Sequence, residues 1–231
     1  MTHILDNPIW NALTTHNQDI STGNNHVRYF DREIAAFAGL KDNSEEDLNS
    51  LYALTPSPIH FILFTPGEIS IPTNWKILVK RELLQMVCEK PTLPGSQLAK
   101  GAELIPLQTK DVPAMLELTA KTNPGPFFVR TIEFGGYHGI FDGDRLVAMT
   151  GRRMQPGPYV EVSAVCTHPD YIGRGYAAQL VNHQLQSILT ESRIPFLHLF
   201  SDNIGAYKVY KKLGFETRRE MMVYVIEKQD K

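Results

Sequence analysis

Apolar positions in the C-terminal half of the chain fall into clear periods. Residues 174–190 set Ala177, Leu180, Val181, Leu185 and Ile188 on one side of a 3.6-residue turn, which predicts an amphipathic helix. Residues 159–167 alternate Val160, Val162 and Ala164 with Glu161, Ser163 and Val165, the period of a half-buried strand. Asp142-Gly143-Asp144-Arg145 separates two apolar runs, 137–141 and 146–151, and reads as a hairpin. Helices are predicted over 109–121 and 205–213, and strands over 103–107, 196–200 and 221–226. The order β-α-β-β-β-α-β-α-β predicts an α/β (α+β) fold, a mixed sheet with helices packed on it.

The N-terminal half is less regular. A helix starts within residues 9–14, and residues 27–30 and 34–37 read as short strands. Ser44 opens a capping box ahead of Leu48, Leu51 and Leu54. Residues 59–64 read as a buried strand, and 75–90 fit either a helix or a strand–helix boundary. Residues 89–103 carry two prolines and two glycines and read as a connector. The expected division is a smaller α/β region over 1–97 and a second domain over 98–231. No chemical motif stands out before the connector.

Composition narrows the function classes. The chain has 231 residues, with 23 Lys and Arg against 25 Asp and Glu, for a net charge of -2. That balance gives no pull toward nucleic acid or an anionic membrane. No secretory leader is read at the start, and the longest strongly apolar run, 59–64, is far below the ~18 residues of a membrane span. Cys88 and Cys166 are the two cysteines, and neither lies in a CxxC pattern, so a reducing, cytoplasmic compartment is expected. The eight histidines form no metal-like spacing, so no metal is expected.

The segment with chemical content is Cys166-Thr-His-Pro-Asp-Tyr-Ile-Gly-Arg-Gly-Tyr-Ala-Ala178. A strand ends, a proline turn follows, and Gly173 and Gly175 open a helix. Bare amides and the helix dipole make such a place suited to a pyrophosphate. Three readings fit: a turn without a ligand, a dinucleotide fingerprint in which Gly173, Gly175 and Ala178 satisfy G-x-G-x-x-A and Asp202 closes the next strand, and a coenzyme A site.

Val160-Glu-Val-Ser-Ala-Val-Cys-Thr-His-Pro-Asp-Tyr-Ile-Gly-Arg-Gly-Tyr-Ala177 resembles the central motif of the GNAT superfamily of acyl-CoA-dependent N-acyltransferases. Asn203-Ile-Gly-Ala-Tyr-Lys-Val-Tyr-Lys-Lys-Leu-Gly-Phe215 resembles that family's second signature, and the two stand in the family's order. The resemblance covers roughly residues 103–226, and the branch it resembles most includes glycine N-acyltransferase-like enzymes. It implies a centrally splayed sheet with acetyl-CoA in the cleft. Ile172, Gly173, Arg174, Gly175, Tyr176, Ala177 and Ala178 would then hold the pyrophosphate. The family usually has Arg or Gln where this chain has Ile172, so that contact would run through the backbone. Val165, Cys166 and Thr167 would border the acetyl group and pantetheine arm, with Asn203 bonding the arm or only capping its helix.

The resemblance also implies roles. Tyr210 matches the tyrosine that can protonate the departing thiolate, and Glu161 the strand glutamate that serves some members as base, in place of a water chain. An apolar cleft would raise the pKa of that glutamate. Cys166 reads as a small buried residue rather than an acylated nucleophile. Lys208, Lys211, Lys212, Arg218 and Arg219 form a basic surface that is solvated or meets a coenzyme A phosphate. Arg130, Glu133 and Arg152 border the expected acceptor pocket, where a cation would suit an amino-acid carboxylate. The predicted reaction is direct attack of a small-molecule amine or amino acid on acetyl-CoA, with a homodimer allowed and no nucleic-acid or membrane partner. The N-terminal region would extend the acceptor side, as a degenerate copy of the same fold. The rivals are a nicotinamide- or flavin-dependent oxidoreductase and an inactive coenzyme A sensor.

Overall fold

The computed structural model describes residues 3–92 and 102–229. The expected connector over 89–103 lies mostly outside these residues, and the expected boundary at 97/98 lies wholly outside them. In chain order the elements are α1 (Pro8–Leu13), β1 (Ser21–Gly23), β2 (Val27–Phe30), β3 (Ala38–Leu40), α2 (Glu45–Leu54), β4 (His60–Thr65) and β5 (Trp75–Val87). Then come β6 (Ile105–Pro106), α3 (Val112–Thr122), β7 (His138–Asp142), β8 (Arg145–Arg152), β9 (Tyr159–Thr167), α4 (Tyr176–Thr190), β10 (Ile194–Phe200), α5 (Ile204–Lys212) and β11 (Glu216–Lys228). Two compact units result, one of Met1–Gln85, Met154–Gly157 and Arg218–Lys231, the other of Met86–Arg153 and Pro158–Thr217.

In the first unit β1, β2 and β3 form an antiparallel sheet, and β11 lies between β4 and β5. Ser44 caps α2: its hydroxyl accepts from the Asp47 amide while the Asp47 carboxylate accepts from the Ser44 amide, so the predicted box forms. Leu48 and Leu51 then turn onto Phe61, Leu63, Trp75 and Tyr224. Residues 34–37 form no strand: the chain turns over residues 32–34, Phe37 makes one isolated parallel bridge to Ile62, and β3 begins at Ala38. The ambiguous stretch is strand β5.

The second unit carries the clearer pattern. Its strands run in the order β10-β9-β8-β7-β6. β9 and β10 are parallel, and the other pairs are antiparallel. This is a mixed α/β arrangement with helices on the sheet. Leu180, Val181, Leu185 and Ile188 of α4 are fully buried, each contributing about 2 kcal/mol through apolar area removed from water. Helix α3 buries Val112, Met115 and Leu118 and stops at Asn123, whose φ of 48° leaves the helical region. Among the described residues, no helix is long and apolar enough to cross a membrane, and no cluster of His, Cys, Asp or Glu could hold a metal ion.

Two backbone features shape the site. β9 and β10 pair from Tyr159↔Ile194 to Glu161↔Phe196, yet the strands run on to Thr167 and Phe200. They part beyond that pair, as the expected splay requires. On its other edge β9 bulges: Thr150 of β8 faces both Ala164 and Val165, and Ala164 has φ 52°. Such a bulge bends the strand and re-aims the residues after it.

Candidate active site

The turn after β9 has the geometry of an anion cradle. Gly173 and Gly175 have φ of 84° and 82°, in the left-handed region where a Cβ is strained. Gly175 is the N-cap of α4 and supplies no side-chain cap. The first intrahelical bond joins the Gln179 amide to the Gly175 carbonyl, at 3.1 Å. The amides of Tyr176, Ala177 and Ala178 therefore have no acceptor within the helix. Among the described residues, a Cβ built on either glycine meets nothing within 4 Å, so a ligand can reach the backbone closely. Ile172 is 71% exposed, in keeping with a backbone contact at that position.

Side chains outside the glycines brace this turn. The Tyr171 hydroxyl donates to Asp142 in the hairpin at 2.5 Å. The Arg174 guanidinium lies 4.4 Å from the centre of the Tyr171 ring, which stacks in turn on Tyr176. His168 is buried, with the Arg145 guanidinium against its Nε2 and the Asp170 segment beside its Nδ1. The contact between Asp142 and Tyr171 is not readable from local pattern, because it joins a hairpin to a turn 29 residues away.

Where β9 leaves its neighbour, Thr167 Oγ1 is buried without a hydrogen-bond partner among the described residues. Cys166 is buried beside it, and burial pushes its thiol up to about 11. It stays a thiol at neutral pH, which suits a packing role better than an acylated one. Tyr210 on α5 is buried against Phe215, with ring centres 5.7 Å apart. Burial, and next the charge of a Cys166 thiolate, push its hydroxyl up to about 12. Tyr210 is therefore a neutral donor. Asn203 caps α5, its Oδ1 accepting from the Ala206 amide at 3.1 Å.

Glu161 sits in an environment unlike the expected one. It is fully buried at the last pair before the strands part. The Arg153 guanidinium grips it through two bonds, at 2.8 and 2.6 Å, and His198 Nδ1 lies 2.7 Å from its Oε1. Burial alone would raise its pKa, but the Arg153 charge and the bonds from Arg153 and His198 outweigh it and hold the carboxyl at about 2. The expectation of a raised pKa is corrected on this point: the cleft carboxylate is ionised and paired.

Neither partner was read from the sequence. The register Arg152↔Val162 sets Arg153 opposite Glu161, with the Arg153 amide bonded to the Glu161 carbonyl. His198 lies two residues beyond Phe196, hence on the same sheet face as Glu161's partner.

The three residues expected at the acceptor pocket have other engagements. Arg130 and Glu133 pair with each other at 2.6 and 3.0 Å. Arg152 ties the end of β8 to α4 through Glu191 and Ser187. In the basic group noted above, Lys211 pairs with Glu216, while Arg218 and Arg219 pair with Asp6.

Comparison with known proteins agrees with this geometry. A family model described as FR47-like protein matches residues 137–224, the span of hairpin, cradle, splay and α5. A crystal structure of a GNAT-family protein from Novosphingobium aromaticivorans DSM 12444 superposes with a TM-score of 0.89 at 32% identity, covering 99% of this chain and 100% of its own. A GCN5-related N-acetyltransferase from Kribbella flavida shares the fold at 14% identity and TM-score 0.65, over 97% of this chain and 96% of its own. A GCN5-related N-acetyltransferase-like protein from Streptococcus suis does so at 13% identity and TM-score 0.57, over 89% and 82%. No curated protein matches the chain. With a relative 32% identical along its whole length, this chain belongs to the GNAT family of acetyltransferases.

Proposed function

We propose that this chain moves the acetyl group of acetyl-CoA to a primary amine of a small molecule or amino acid, by direct attack on the thioester. The observation that carries the reading is the cradle: three helix-start amides and two left-handed glycines open at the foot of a strand that parts from its neighbour. Residues 172–178 would bind the pyrophosphate through the backbone. The pantetheine arm would follow β9 past Thr167 and Cys166 to Val165, where the orphaned Thr167 hydroxyl offers a hydrogen bond. Bound acetyl-CoA supplies the activated acetyl carbon. The reading includes a cytoplasmic location, with both cysteines kept as thiols.

Tyr210 serves the leaving sulfur. A thiol ordinarily titrates near ~8.5, so a hydroxyl near 12 does not hand over its proton outright. It donates a hydrogen bond that strengthens as the C–S bond breaks and charge gathers on sulfur. Tyr210→Phe should lower kcat by about 10-fold or more, with acetyl-CoA affinity changed less than about 2-fold. A rate equal to the parent's removes Tyr210 from the chemistry.

The dinucleotide reading fits poorly. In the second unit β9 and β10 alone run parallel among the described strands, whereas a doubly wound fold needs a run of parallel strands around the glycine turn. Calorimetry with acetyl-CoA and with NAD, followed by thiol release over a panel of primary amines, tests the proposal. Binding of NAD in place of acetyl-CoA sinks it. Binding of acetyl-CoA with no thiol released on any amine favours the sensor.

A further inference from the structure

We propose that His198, oriented by Glu161, is the group that takes the proton from the acceptor amine. The inference rests on the acetyl-transfer reading and assigns its base.

The geometry is that of a carboxylate–imidazole pair. Glu161 Oε1 lies 2.7 Å from His198 Nδ1, and both side chains are buried, at 0% and 3% exposed. An ionised carboxylate only accepts hydrogen bonds, so the proton of the neutral ring sits on Nδ1 and the lone pair on Nε2. Arg153 keeps Glu161 ionised from the opposite strand. A carboxylate so paired is a weak base, but it is an effective anchor for an imidazolium. Arg153 and Glu161 cancel, and the proton taken by His198 becomes the net charge of the cluster. Tyr137, from the segment before β7, lies near this cluster: its hydroxyl donates to the Arg152 carbonyl at 3.5 Å, and a charge on it would feel Arg153, Cys166 and Glu161. Burial raises the pKa of both Tyr137 and Cys166, so both are neutral.

Position supports the assignment. Glu161 and Phe196 are the last pair before β9 and β10 part, and His198 is the next residue of β10 on that face. The base therefore stands at the vertex of the cleft.

The proton account closes. The alkylammonium group gives one proton to Nε2, directly or through one water. The neutral nitrogen bonds to the carbonyl carbon, the C–S bond breaks, and its electron pair leaves on sulfur beside Tyr210. The surplus proton on nitrogen passes to that sulfur, giving amide and free thiol. The imidazolium returns its proton to solvent, one per turnover.

The test uses the full chain labelled with 15N-histidine, its His198 signals assigned by their loss in His198→Gln. The expected ring carries its proton on Nδ1 at high pH and takes a second, on Nε2, as pH falls. In Glu161→Gln the tautomer preference weakens and the titration moves to lower pH. An Nε2-protonated ring, a ring that keeps one protonation state across the pH range in which the chain stays folded, or spectra unchanged in Glu161→Gln overturns the proposal. In parallel, the best amine from the thiol-release panel is assayed. His198→Gln should lose about 100-fold in kcat and lose the acid limb of the pH profile, with acetyl-CoA affinity within about 2-fold of the parent. Imidazole added to His198→Ala should restore part of the rate. A His198→Gln rate within about 3-fold of the parent, with its acid limb intact, also overturns it. Loss of acetyl-CoA binding by the parent chain would instead sink the acetyl-transfer reading, and the spectra still judge the tautomer.

Discussion

Gly175→Glu should weaken acetyl-CoA binding by at least about 100-fold, measured by calorimetry. Each charge-assisted bond to a phosphate oxygen is worth roughly 1.5–3 kcal/mol, and the substitution disturbs several at once. Gly175 has φ 82°, so a side chain forces either strain of about 1–2 kcal/mol or a turn that re-aims the amides of Tyr176 and Ala177. The carboxylate then brings a like charge to the anion site at the start of α4. Gly175→Ala separates these effects. A Cβ there meets nothing within 4 Å among the described residues, so alanine adds backbone strain and no charge. It should lose about 30-fold at most. Equal losses for alanine and glutamate would mean that the turn acts through shape alone. An unchanged affinity for glutamate would remove the turn from the binding site.

Arg153→Met should cost about 3–5 kcal/mol of stability, because it leaves the Glu161 carboxylate buried without its main counter-charge. For a chain this size that corresponds to a melting point roughly 10 °C lower. The pH dependence gives the loss a signature. Glu161 is held at about 2 in the folded parent, below the ordinary carboxylate value near ~4.3. The pair therefore stabilises the fold above about pH 4.3, and that stability is lost as pH falls toward 2. In Arg153→Met the deficit is greatest at neutral pH and shrinks as acid protonates the stranded carboxyl. Arg153→Met combined with Glu161→Gln should recover part of the loss, since the buried charge is gone. Urea melts at pH 7 and pH 4 check both statements. A deficit under about 1 kcal/mol, equal at the two pH values, would mean that the pair carries little.

What was legible in the sequence followed from short-range periodicity. Helix α4 and the glycine turn before it were readable because apolar spacing and turn chemistry act within a few residues, and both stand in the structure. The region around β5 was not readable. Its 13 residues are exposed through most of the middle, with Ile77 and Leu78 near half exposed, so apolar spacing no longer reports which face is inward. Glu161 illustrates the other limit. Alternation along β9 marks it as one of the facing positions, but both faces of the strand are covered there, and Tyr159, Val160, Glu161 and Val162 are all buried. Its partners follow from register. The bulge opposite Thr150 adds a residue to β9, so the pairing beyond it cannot be counted from the hairpin turn. One position separates Arg152, whose guanidinium is bound to α4, from Arg153, whose guanidinium is bound to the Glu161 carboxylate.

A crystal structure of the chain with acetyl-CoA tests the central claim most directly. The account predicts pyrophosphate oxygens within hydrogen-bond distance of amides in residues 172–178, and the thioester between β9 and β10 beyond the Glu161–Phe196 pair. A ligand lodged elsewhere, with those amides holding no phosphate, would contradict it.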